Sequence, residues 1–167
     1  MEKSITPSVQ AASGLVIRRV MVNHNRTQQE ALDATAREQY VDRKVVDNMP
    51  KGEGEEVEVV FFKPDLSKHL SKRNNFISDD DLEKEFELRD LEPADPISVA
   101  AVNEADPSFA DEKPHGTHWK NADGKWCFAT FYCLYGWRGV VVNRNISGWD
   151  GSWWFAGRRK EMLSALS

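Results

Sequence analysis

All six tryptophans of this 167-residue chain lie between positions 119 and 154, in less than a quarter of its length. Trp126, Trp137, Trp149, Trp153 and Trp154 sit in short apolar runs cut by turn-formers: Asp123-Gly124, Gly136 and Gly148. Dense aromatics between regular turn signals write a compact antiparallel β module, with the rings either in its core or on one face. The concentration places the part of the molecule that would meet a partner, but it names no reaction.

The segments upstream alternate in type. Residues 15–22 (LVIRRVMV) are rich in β-branched side chains and predict a strand. Thr27-Gln-Gln-Glu30 is a capping box, in which threonine and glutamate satisfy each other's backbone amides; a helix from there to about Tyr40 is expected. Val45-Val46 continues to Met49-Pro50, and residues 57–62 (VEVVFF) predict a second strand, closed by Pro64. Residues 67–75, with Lys68, Lys72 and Arg73 around His69 and Leu70, read as an exposed connection. Ser78 caps a second helix through Leu82, Phe86 and Leu91, and Asp95-Pro96 starts a third. On that second helix Leu82 and Phe86 are expected in the core and most of the acids from Asp79 to Glu87 in solvent.

Strands are then predicted at 117–120, 125–135, 139–145 and 153–158. The fold class is α+β: an N-terminal β-α-β-α-α followed by a C-terminal tryptophan-rich antiparallel β meander. Residues 1–13 read as a flexible start and 14–167 as one domain, with 113–160 its aromatic module.

Charge is unevenly placed. Residues 78–112 hold thirteen acids against Lys84 and Arg89, whereas residues 113–167 hold eight bases against three acids. The net charge of −5 argues against nucleic acid as the first choice of partner. No apolar stretch has the roughly 20 residues of a membrane span, and residues 1–13 lack a secretory layout. A cytoplasmic protein, with no membrane partner, is expected. The chain has the character of the short proteins common in bacterial and phage genomes.

Cys127 and Cys133 are six apart in one predicted strand, hence on the same face and beyond disulfide reach. Their aromatic neighbours make them core thiols. His115-Gly-Thr-His118 has the residue types for a metal pair but lacks the further ligands that zinc requires. Either cysteine with His115 or His118 could form a nucleophile and base, which is the enzyme alternative. No GxxxxGK[ST], GxGxxG or GxSxG occurs. No cofactor and no metal are expected.

Tryptophans near turns can stack on sugars or on a protein partner's side chains, and arginines beside them add directed bonds. Trp137, Arg138, Arg144, Trp149 and Trp153 are therefore the expected binding residues of a non-catalytic module for a protein or carbohydrate partner. Trp137 and Trp149, nearest turns, are expected to be more exposed than Trp126. Binding of single-stranded nucleic acid by the same surface is the further alternative. The closing runs Val140-Val-Val-Asn143, Trp149 and residues 153–158 (WWFAGR) are similar to the last strands of C-type-lectin-like folds. The resemblance covers about the last quarter of the chain, without a clear version of the disulfides or calcium-site carboxylates of those folds, and it implies ligand binding.

Overall fold

The structure is a computed structural model that describes residues 14–69, 75–145 and 147–160. The expected flexible start at residues 1–13, and most of the connection at 67–75, lie outside them. The chain order is β1 (Val16–Met21), α1 (Gln28–Asp33), β2 (Glu38–Val41), α2 (Arg43–Asp47), β3 (Glu56–Phe62), a 3-10 turn (Leu66–Lys68) and β4 (Phe76–Ile77). There follow α3 (Asp79–Leu88), β5 (Leu91–Pro93), α4 (Pro96–Ala105), α5 (Phe109–Glu112), β6 (His115–Lys120), β7 (Trp126–Leu134), β8 (Trp137–Arg144), β9 (Trp149–Asp150) and β10 (Trp154–Arg159). The fold is α+β, and among the described residues no helix is long and apolar enough to cross a membrane.

One mixed sheet runs β1-β3-β10-β6-β7-β8-β2, with β5 also alongside β10. The hairpins β6–β7 and β7–β8 are the antiparallel meander read from the turn signals. The last expected strand, β10, leaves that meander. It inserts between β3 and β6, antiparallel to the first and parallel to the second, so the C-terminal module is built into the N-terminal half.

The helix expected to reach Tyr40 ends at Asp33. Its capping box forms as read: Glu30 N–H donates to Thr27 Oγ1 at 3.1 Å and Thr27 N–H to Glu30 Oε1 at 2.8 Å. Ala36 then takes a left-handed φ of +58°, and residues 38–41 add to the sheet edge, parallel to β8. Tertiary pairing overrides helix propensity there. Val45-Val46 belongs to α2, capped by Asp42, whose carboxylate accepts from Lys44 N–H at 2.9 Å.

Strand alternation divides the sheet into two faces. Val59, Phe61, Cys127, Phe131, Val140 and Val142 pack on the first face against Leu32, Val46, Val99 and Val102 from α1, α2 and α4. On the second face Val60, Phe62 and Phe155 meet Leu82 and Phe86 of α3, Ile77 of β4 and Trp149 of β9. That cover stops short. Over β7, β8 and β2 the second face carries Tyr40 at 53% exposure, Leu134 at 58% and Trp137 at 66%, with Tyr135 of the connecting turn at 92%.

Candidate binding site

The edge of that cover is held by α3. Ser78 caps the helix through Asp81 N–H at 3.1 Å, which sets Asp79 and Glu83, one turn apart, toward β6. His118 of β6 lies between them: Nδ1 is 2.6 Å from Asp79 Oδ1 and Nε2 is 2.6 Å from Glu83 Oε2. Two acceptors require two N–H donors, so the ring is an imidazolium. Burial is the largest single influence and pulls its pKa down; the bonds and charges of Asp79 and Glu83 together outweigh it, and the net shift is upward. The Trp126 ring stacks on His118 with centroids 4.1 Å apart.

Asp79 also organises the aromatic wall. Trp149 Nε1 donates to its Oδ1 at 2.7 Å and Asn145 Nδ2 to its Oδ2 at 2.9 Å. Trp149 is thereby buried at 4% exposure, whereas Trp126 is half-buried, the reverse of the expectation from turn proximity. The cause is the indole N–H, which follows a buried carboxylate, while Trp126 starts its strand at the rim of α3's cover. Several acids of the helix are also inward: Asp79, Asp81 and Glu85 are buried, and Glu85 Oε2 lies 2.7 Å from His69 Nε2. Leu82 and Phe86 are in the core as expected.

Beyond the Trp149 wall a groove of about 690 Å³ opens over the second face. Phe128 and Trp153 both stand edge-on to Trp149, at 79° and 81°. Thr130, Tyr132, Asn143 and Leu134 are among its other lining residues, and among the described residues no Asp or Glu lines it. Tyr132 also borders a shelf of about 250 Å³ with Tyr40, Leu134, Tyr135 and Trp137, so the two hollows adjoin. Gly139 lets Tyr132 lie across β8: a Cβ there would sit 2.7 Å from the ring.

Of the expected binding residues, Trp137 stands on the shelf and Trp149 and Trp153 in the groove wall, while Arg144 borders the groove at the end of β8, where it pairs with Cys127 of the first face. Arg138, the neighbour of Trp137 on one strand, has its side chain on the opposite face. There it makes a bidentate pair with Asp111, at 3.1 and 2.8 Å, while the residue still borders the shelf beside Trp137. Phe128, Thr130, Tyr132 and Asn143 were missed, although the period-two spacing of the first three along β7 marks them as one face.

The chemistry weighed for the histidines and cysteines is dispersed. His115 and His118, three apart on a strand, point to opposite faces and share no metal. His115 Nδ1 lies 2.8 Å from Lys113 O and Nε2 2.8 Å from Asn103 Nδ2, whose Oδ1 accepts from buried Arg37. The bonds therefore assign Nδ1 as donor and Nε2 as acceptor. Burial holds this neutral ring at a pKa of about 4. Cys127 lies on the first face, away from His118, and burial raises its thiol pKa. No thiol hydrogen-bonds a histidine among the described residues, so the Cys/His pair is not assembled.

No protein-family model, no curated protein and no solved structure matches this chain.

Proposed function

We propose that this chain is a non-catalytic binding module for a protein or carbohydrate partner, docked on the uncovered second face over β7, β8 and β2. One observation carries the reading: the exposed aromatics Tyr40, Tyr135 and Trp137 adjoin the Phe128–Trp153 groove through Tyr132, which lines both hollows. Aromatic surface left outside while a full core lies beneath it is surface that a partner covers. Trp and Tyr there supply large rigid area at little cost in side-chain entropy. Cytoplasmic location belongs to the same proposal.

The test is retention of a partner from native-host extract on immobilised protein, followed by affinity measurement with the purified partner. Trp137→Ala is expected to weaken binding at least about tenfold, about 1.4 kcal/mol, with the melting temperature nearly unchanged. Unchanged affinity in Trp137→Ala, or a melting temperature that collapses with it, removes the reading.

A further inference from the structure

The two carboxylates that hold His118 are bound unequally. The Asp79 side chain is 6% exposed and accepts from three donors: His118 and Trp149 Nε1 on Oδ1, and Asn145 Nδ2 on Oδ2. The Glu83 side chain is 36% exposed, and among the described residues its bond to His118 is its only hydrogen bond. Glu83 and His118 border a hollow of about 530 Å³ on the far side of the ring from the groove wall, with Trp126 at the same opening.

A neutral imidazole has a single N–H. It can donate to only one of two carboxylates that lie 2.6 Å from its two nitrogens, and the other then faces a lone pair. Were Nε2 to keep the proton, buried Asp79 would face the bare nitrogen. Moving it away would strip Trp149 and Asn145 of their acceptor, and buried donors without partners are costly. With the proton on Nδ1 instead, Asp79 keeps all three donors, and Glu83 turns out to water by side-chain rotation alone.

The other charged groups around the ring do not reverse this choice. On α3, Asp80 accepts from Trp126 Nε1 at 3.2 Å. Glu92 of β5 and Asp95 before α4 line the hollow, and Arg158 of β10 lies 3.6 Å from Asp95. Lys120 of β6 sits 5.0 Å over the Trp126 ring. From β7 only the rings of Trp126 and Phe128 come to this side. Once the imidazolium charge is gone, three acids against Lys120, with Arg158 already beside Asp95, leave little to hold Glu83.

We infer that His118 and Glu83 form a proton-operated latch on this hollow: loss of one ring proton releases Glu83 alone and turns His118 Nε2, now an acceptor, toward the opening. Asp79 does not move, so Trp149 and the groove wall stay in place. The upward shift of the ring sets the event above its ordinary 6.5. The latch does not depend on the second face being a binding surface.

Imidazole ¹⁵N spectra of the full chain are recorded from about pH 6 to about pH 10. Protection of the Trp149 indole N–H against hydrogen exchange, corrected for the intrinsic rate, is followed alongside. His118 is expected to lose the proton on Nε2 and keep that on Nδ1, with Trp149 protection retained. In Glu83→Gln, whose amide can donate to the bare Nε2, the proton affinity of His118 is expected to fall at least about tenfold. In Asp80→Asn, which touches Trp126 and not the ring, it is expected to change less than about threefold. A ring that holds both protons to about pH 10, or a neutral ring protonated on Nε2, overturns the latch. So does Trp149 protection lost at the midpoint of His118, or an equal effect of the two substitutions.

Discussion

His118 and His115 are three residues apart on β6, yet their surroundings push them in opposite directions. His118, buried between Asp79 and Glu83, is raised above its ordinary 6.5, and His115, held at about 4, is lowered chiefly by burial and further by the Arg37 cation nearby. For His118 the folded pKa exceeds the unfolded one, so its stabilisation is complete below about pH 6.5 and is lost as pH rises through the folded value. For His115 the unfolded state takes up the proton first, so stability falls by roughly 3 kcal/mol between pH 6.5 and 4. Urea unfolding across pH is expected to show a maximum near pH 6.5, with the alkaline limb flattened in His118→Gln. An alkaline limb as steep in His118→Gln as in the wild type would refute the buried imidazolium. At this scale local chemistry was legible: the Thr27–Glu30 box and the Ser78 and Asp95 caps need only near neighbours. The burial of Trp149 was not, because its determinant is Asp79, 70 residues away.

Helix α3 is the element on which both the core and the groove depend. Leu82 and Phe86 fill the second-face core, while Asp79 on the same helix fixes His118, Trp149 and Asn145. Phe86→Ala is expected to cost about 3–5 kcal/mol. Asp79→Ala, which leaves a buried imidazolium and an indole N–H without their acceptor, is expected to cost about 3–5 kcal/mol. Asp80→Asn is expected to cost under about 1 kcal/mol, since that carboxylate is solvent-exposed at the helix start. Equal melting temperatures for Asp79→Ala and Asp80→Asn would show that the helix is held by its apolar face alone. The apolar side of α3 was readable from helical spacing at Leu82 and Phe86. The inward acids were not, because spacing cannot reveal that histidines from β6 and from the 3-10 turn's end wait opposite them. Nor did spacing show that Arg138, which borders the shelf beside Trp137, pairs with Asp111 on the first face, since one step along a strand exchanges faces.

At the scale of the whole molecule, the decisive feature is β10. By pairing with β3 on one side and with β5 and β6 on the other, it joins the tryptophan-rich module to the first half of the chain. A fragment of residues 117–167 would lack β3, the helices of both faces and Asp79. It is expected to be unfolded or aggregated; a sharp, reversible thermal transition of that fragment would contradict the topology. The α+β class and the β6–β8 meander were visible in the sequence through turn signals. The return of β10 and the parallel edge strand β2 were not, because long-range pairing leaves no local pattern.

The six indoles are dispersed over this architecture and report on it separately. Trp137 and Trp153 line the proposed surface, Trp126 covers His118 beside Asp80 and Glu83, Trp149 is buried, and Trp119 and Trp154 pack on the first face. The most direct measurement is the set of indole ¹H–¹⁵N resonances of the full chain as the purified partner is added. The Trp137 and Trp153 signals are expected to shift in step with binding while Trp119 and Trp154 stay in place. Shifts confined to Trp119, Trp126 or Trp154, with Trp137 and Trp153 unmoved, would contradict a binding surface on the second face.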